Sequence, residues 1–88
     1  MITATQLRAA RALLNIDQRE LADLSGLSVP TIQRMEASDG LIRGNVDSLT
    51  KLISALATAG VELIGEDDAS RGRGRGVRFI VGSTDRGQ

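Results

Sequence analysis

Gln33 and Arg34 stand side by side in the short run VPTIQRME, residues 29–36. If that run is a helix, both point away from Ile32 and Met35. A glutamine amide can pair with adenine through two hydrogen bonds, and an arginine fork can address guanine or a phosphate. Val29 and Pro30, one turn earlier, offer apolar surface suited to a thymine methyl. An ordinary solvated helix face would present similar residues, so the elements that carry them must decide between the two.

Other chemistries have little support. The chain has 88 residues, with no Cys and no His. Disulfides, zinc sites and imidazole acid–base catalysis are therefore excluded. The carboxylates of Asp17 and Glu20 are accounted for by helix capping. Asp67 and Asp68 have no His, Lys cluster or phosphate-cradling glycine loop near them. No nucleophile–base pair is recognisable, so neither an enzyme nor a cofactor nor a bound metal is expected. The one aromatic, Phe79, gives no platform for stacking single-stranded bases.

The elements that position Gln33 and Arg34 are legible in sequence. Thr3 and Gln6 form a capping box that opens a helix over residues 4–14. Its apolar stripe is Leu7, Ala10 and Leu14, with Arg11 on the same stripe. Asp17 and Glu20 form a second box before a helix at 18–25, and Ile16 with Leu21 makes a hydrophobic staple. Leu21 and Leu24 are expected on its buried face. Gly26 is placed to exit that helix in the left-handed region. Ser28 caps the third helix, Pro30 lies in its first turn, and Leu27 with Ile32 staples it. Its inward residues are Ile32, Met35 and Glu36, with Thr31 at the border. After a loop over 38–44, Asn45 caps a fourth helix to about residue 59, with Val46, Leu49, Leu52, Ile53 and Leu56 as its apolar face. Helices this short are marginal alone in water, so the four must share one core.

Gln18 to Glu36, QRELADLSGLSVPTIQRME, thus reads as two short helices about a glycine turn, the helix-turn-helix pattern. The longer stretch LRAARALLNIDQRELADLSGLSVPTIQRME resembles the lambda-repressor/Cro-like (XRE) helix-turn-helix family. Arg11, Gln18, Leu21-Ala22, Gly26-Leu27-Ser28, Thr31-Ile32 and Glu36 carry the resemblance. It implies a mainly α fold, a four-helix DNA-binding bundle, with the third helix in the major groove of double-stranded DNA. It implies base contacts from Val29, Pro30, Gln33 and Arg34, and phosphate contacts from Gln18, Thr31 and Arg43. It also implies a buried ion pair between Arg11 and Glu36. The residues agree on that point, because each charge lies on an apolar stripe and needs a partner. Gln18, Val29, Pro30, Gln33 and Arg34 are left without a structural duty. The family's usual fifth helix is not apparent after Gly60.

Residues 1–60 are thus expected to form the DNA-binding domain, and 61–81 a β-hairpin. The extended runs Val61–Ile64 and Val77–Val81 would pair across a glycine- and arginine-rich loop. Residues 82–88 are expected to be a disordered tail. An isolated hairpin is marginal, so this one should pack on the bundle or join a second copy. Val61, Leu63, Val77, Phe79, Ile80 and Val81 are the expected homodimer contacts, with helix 4 as the alternative interface. The RGRGRG stretch, residues 71–76, fits a polar hairpin loop, a basic arm toward DNA, or a partner for the acidic Glu66–Asp68 patch.

Charge does not discriminate: 11 basic residues balance 11 acidic ones, whereas many DNA-binding domains are basic. That balance keeps a second reading open, a protein-binding adaptor, anti-activator or antitoxin that reuses the fold with a partner protein. No apolar run approaches the length of a membrane span and no signal-peptide pattern opens the chain, so a cytoplasmic protein is expected.

Overall fold

Every described helix of the computed structural model begins at a side-chain cap. The structure describes residues 2–65 and 76–80, without the side chain of Phe79. Helix α1 spans Ala4–Leu14, α2 Gln18–Ser25, α3 Val29–Glu36 and α4 Val46–Thr58. The Thr3 hydroxyl accepts the Gln6 N–H at 3.1 Å, and the Gln6 Oε1 accepts the Thr3 N–H at 2.8 Å. Asp17, Ser28 and Asn45 likewise cap the other three with a side-chain oxygen. The helix ends are equally local. Gly26 is left-handed at φ 75°. Asn15 ends α1 at φ 57°, a conformation that asparagine tolerates better than most residues.

Leu7, Ala10, Leu21, Ile32, Met35, Leu52, Leu56 and Val61 form a single buried cluster with Ile2, Ala4, Ala22 and Ile42. Two sequence expectations need correction. Leu24 is 53 % exposed. The buried stripe of α2 leans to the other side of Leu21, through Ala22 and Ser25. Ser25 can be buried because its hydroxyl donates to the Leu21 carbonyl at 2.8 Å. In α4, Leu52 and Leu56 are buried, but Val46 and Ile53 are exposed. At about 100° per residue, both lie more than a quarter turn from Leu52, outside the contact with α2.

Among the described residues, no fifth helix follows α4. Gly60, at φ 100°, turns the chain into strand β1, Val61–Ile64, which pairs antiparallel with β2, Gly76–Phe79. The register sets Val61 against Phe79, Glu62 against Arg78, Leu63 against Val77 and Ile64 against Gly76. The second strand thus begins one residue earlier than its sequence pattern predicts. The Ile80 N–H extends the ladder to the Gly60 carbonyl at 2.7 Å. Arg78 donates to the Glu62 carboxylate across the pair.

The hairpin packs on the bundle through α1 and α4. Val61 is fully buried in that core, and Leu63 and Val77 pack against it. Gln6 fastens the ribbon. Its buried amide donates to the carbonyls of Ile64 and Gly76, both at 2.9 Å, while its oxygen serves the α1 cap. Residues 66–75 and 81–88, which hold most of the arginine–glycine stretch, the Glu66–Asp68 patch, Val81 and the tail, lie outside the described residues. The loop between α3 and α4 is pinned to the start of the chain. The Ala4 N–H donates to Gly40, and the Ile42 N–H to Ile2, each at 3.0 Å.

Candidate nucleic-acid interface

Helix α3 divides into two faces. Ile32 and Met35 are 0 % and 1 % exposed, and they anchor it to the core. Pro30, Gln33 and Arg34 are exposed, on the side the sequence predicts. Val29 corrects that expectation in part: it is half-buried and packs against the core, so only part of its surface is free for a ligand. Thr31 is half-buried at the border. Its hydroxyl lies 2.9 Å from the Ser28 hydroxyl and accepts from the Arg34 guanidinium at 3.3 Å. That contact draws the Arg34 side chain back along the helix toward its N-terminus.

Beside this face lies a cleft of about 430 Å³ lined by Thr31, Arg34, Met35, Arg43, Gly44, Asn45 and Ser48. The first turn of α4 opens on it, with Asn45 accepting the Ser48 N–H at 2.7 Å. Two arginines and a helix N-terminus make a setting for an anion. Gly44 lets the loop lie close: a Cβ there would stand 3.1 Å from the Met35 methyl. Arg43 and Thr31, which read in sequence as separate phosphate candidates, thus line one cleft. Asn45 and Ser48 join them, although Asn45 reads in sequence as a cap alone.

Behind α3 is the expected ion pair. Arg11 meets Glu36 with two fork nitrogens, Nε to Oε2 at 2.6 Å and Nη2 to Oε1 at 2.8 Å. Its third nitrogen donates to the Ile16 carbonyl at 3.2 Å. Gln18 joins the group, its amide donating to Glu36 Oε1 at 3.1 Å. Gln18 therefore has a structural duty that its sequence position does not reveal. Burial pushes the Glu36 carboxyl up, but hydrogen bonds from Arg11 and Gln18 and the nearby charges of Arg11 and Arg8 outweigh it. The carboxyl is held below the usual glutamate range. The same bond to Glu36 raises the Arg11 pKa. Arg8, also without a signal strong enough to single it out in sequence, donates to the backbone carbonyl of Glu36. The available clue is its position three residues before Arg11, on the same side of α1.

A two-turn helix with one exposed face, a glycine-turned partner helix and a bidentate Arg11–Glu36 pair behind them together make a helix-turn-helix unit. A family model described as helix-turn-helix matches residues 7–63, from α1 into β1. The chain belongs to the lambda-repressor/Cro-like (XRE) helix-turn-helix family. Its members are DNA-binding regulators, and this XRE-family chain is a DNA-binding helix-turn-helix regulator of transcription. No curated protein matches the sequence closely enough to count as a relative. Among the described residues, no helix is long and apolar enough to cross a membrane.

Proposed function

We propose that this XRE-family protein represses transcription by binding specific duplex sites as a dimer, with α3 in the major groove. The observation that carries this reading is the division of α3. Its buried side is fixed by Ile32 and Met35, and its exposed side offers Gln33 and Arg34 beside a cleft that Arg43 shares. Gln33 and Arg34 address base edges. Pro30 and the free side of Val29 supply apolar contact to thymine methyls. Thr31 and Arg43 hold a phosphate at the cleft. The Gln18 amide is committed to Glu36, so its phosphate contact falls to its backbone N–H, one of the unpaired donors of the first turn of α2.

Each good base pairing supplies only about 1–3 kcal/mol, and two half-sites about one DNA turn apart are the usual remedy. Val61 is spent on the subunit's own core, and Leu63 and Val77 largely so. We place the contact with a second copy at the outer edge of β2, with the exposed Ile80 at its end. Gel-shift titration of Gln33→Ala and Arg34→Ala on duplexes selected from a random pool tests the reading. Each substitution is expected to cost about 1–3 kcal/mol and to relax selection at one base pair. Undiminished binding by both variants would remove α3 as the reading element and favour a protein partner.

A further inference from the structure

Helices α1 and α2 each end on a left-handed residue, Asn15 and Gly26, and α4 is soon followed by Gly60 at φ 100°. Helix α3 has no left-handed residue so near its end. Its C-cap, Ala37, is right-handed at φ −88°, as is Ala59 of α4, but the next positive φ comes only at Gly40. A helix leaves its last four carbonyls without intrahelical donors, so the end of α3 depends on what else reaches it. The Gln33 carbonyl accepts the Ala37 N–H at 3.0 Å and the Met35 carbonyl the Ser38 N–H at 3.3 Å. The Ser38 hydroxyl donates to the Arg34 carbonyl at 3.2 Å. The last carbonyl, that of Glu36, receives Arg8 from α1. The Arg8 guanidinium is itself held by the Thr5 hydroxyl at 3.2 Å, and its charge lies at the negative end of the α3 dipole.

We propose that Arg8 is a positioning residue for sequence reading: a C-cap supplied by α1 that, with Arg11, fixes the axis of α3. Arg11 grips the Glu36 side chain and Arg8 grips its backbone, so α1 holds the end of α3 from two positions about one turn apart. The geometry makes this consequential. With eight residues, α3 is about 12 Å long, and a tilt of about 5° moves one end by about 1 Å relative to the other. Hydrogen bonds to base edges tolerate only a few tenths of that. Phosphate contacts from flexible side chains and the loop adjust more readily. Loosening α3 therefore erodes discrimination between sequences before it erodes affinity for DNA as such.

The inference rests on the DNA-reading role of α3, and one experiment separates the two. Wild type, Arg8→Ala, Arg8→Lys and Arg34→Ala are titrated against a duplex selected by the wild type and against a scrambled duplex, each over a series of salt concentrations. Melting temperatures are measured alongside. The expected result for Arg8→Ala is a loss of at least about fivefold in affinity for the selected duplex. Affinity for the scrambled duplex and the salt slope should stay unchanged, and Arg8→Lys should recover part of the loss. Parallel losses on both duplexes, with a salt slope reduced by about one, would make Arg8 a phosphate contact and overturn the proposal. An unchanged ratio of affinities would also overturn it. Should Arg8→Ala melt early, the folded Arg8→Lys variant decides. A selected-to-scrambled ratio below that of wild type, with scrambled affinity kept, supports the cap; a ratio equal to wild type overturns it. Absence of discrimination by the wild type itself would instead overturn the DNA-reading role, and this inference with it.

Discussion

Glu36 is 5 % exposed and takes hydrogen bonds from residues on α1 and α2. Removing one partner from a buried ion pair costs on the order of 3–5 kcal/mol, because the other charge is left stranded. Arg11 retains some contact with solvent and Gln18 would remain, which places Arg11→Ala at about 3 kcal/mol, the lower end. Arg43 is exposed and Arg43→Ala should hardly move the melting temperature, so equal melting temperatures for the two variants would contradict the pairing. The pH dependence has a definite sign. The folded Glu36 carboxyl titrates below its unfolded value, so its contribution is full above the usual glutamate range and is lost as pH falls through the lower folded value. Glu36→Gln should therefore flatten the acid limb of a stability-against-pH curve, and a limb as steep as wild type would refute the linkage. At this scale the family resemblance implies the pair, and the sequence agrees with it, because Arg11 and Glu36 each interrupt an apolar stripe and each needs a partner. It does not reveal the duties of Gln18 or Arg8. A polar residue at a helix start, or an arginine on an exposed flank, has many satisfactory environments, and only the packing of three helices selects one.

At the scale of elements, helix ends are legible in sequence and helix faces less so. Caps and turn residues act over three or four positions, and that is why Thr3, Asp17, Ser28, Asn45 and Gly26 can be placed from sequence. The side of a helix that is buried depends on its neighbour's direction, which is a long-range property. Leu24, Val46 and Ile53 depart from their sequence pattern for that reason: each is apolar, and each borders the packed face rather than filling it. Gln6 shows the same limit from the other direction. Its oxygen does the local work of the capping box, but its amide holds Ile64 and Gly76, which no local pattern could announce. Gln6→Ala removes the side-chain half of the box and both bonds to the hairpin, and leaves the Gln6 N–H on the Thr3 hydroxyl. At about 1 kcal/mol for each net hydrogen bond, a destabilisation of about 2–3 kcal/mol is expected in chemical denaturation. Gln6→Glu keeps the box but turns two donors into acceptors facing carbonyls. It should destabilise more at neutral pH than at acid pH, where the protonated carboxyl donates again. A pH-independent effect would show that the amide bonds carry little.

For the whole molecule, a net charge of zero means that attraction to DNA must come from local placement. Arg34 and Arg43 meet at one cleft, while the Glu62–Arg78 pair on the hairpin cancels itself. Taking away one cation that neutralises a phosphate should lower the salt slope by about one. Binding of Arg43→Ala should therefore be weaker by a similar factor on selected and scrambled duplexes, and a sequence-dependent factor would move Arg43 into the base-reading group. Dimerisation through the edge of β2 predicts that Ile80→Lys shifts the sedimentation of the free protein toward the monomer without lowering its melting temperature in dilute solution. No shift in sedimentation would turn attention to the exposed face of α4.

The amide of Gln6 and the carbonyl of Gly76 are 70 residues apart, and Val61 sits in the same buried cluster as Leu7. During synthesis the chain reaches Thr58, the end of α4, with all four helices made but with the place of Val61 still open. Contacts so distant along the chain carry a large loop-closure cost before they stabilise anything. The core is therefore completed from beyond α4, and a chain released at Thr58 would carry all four helix sequences without the side chain that closes their shared interior.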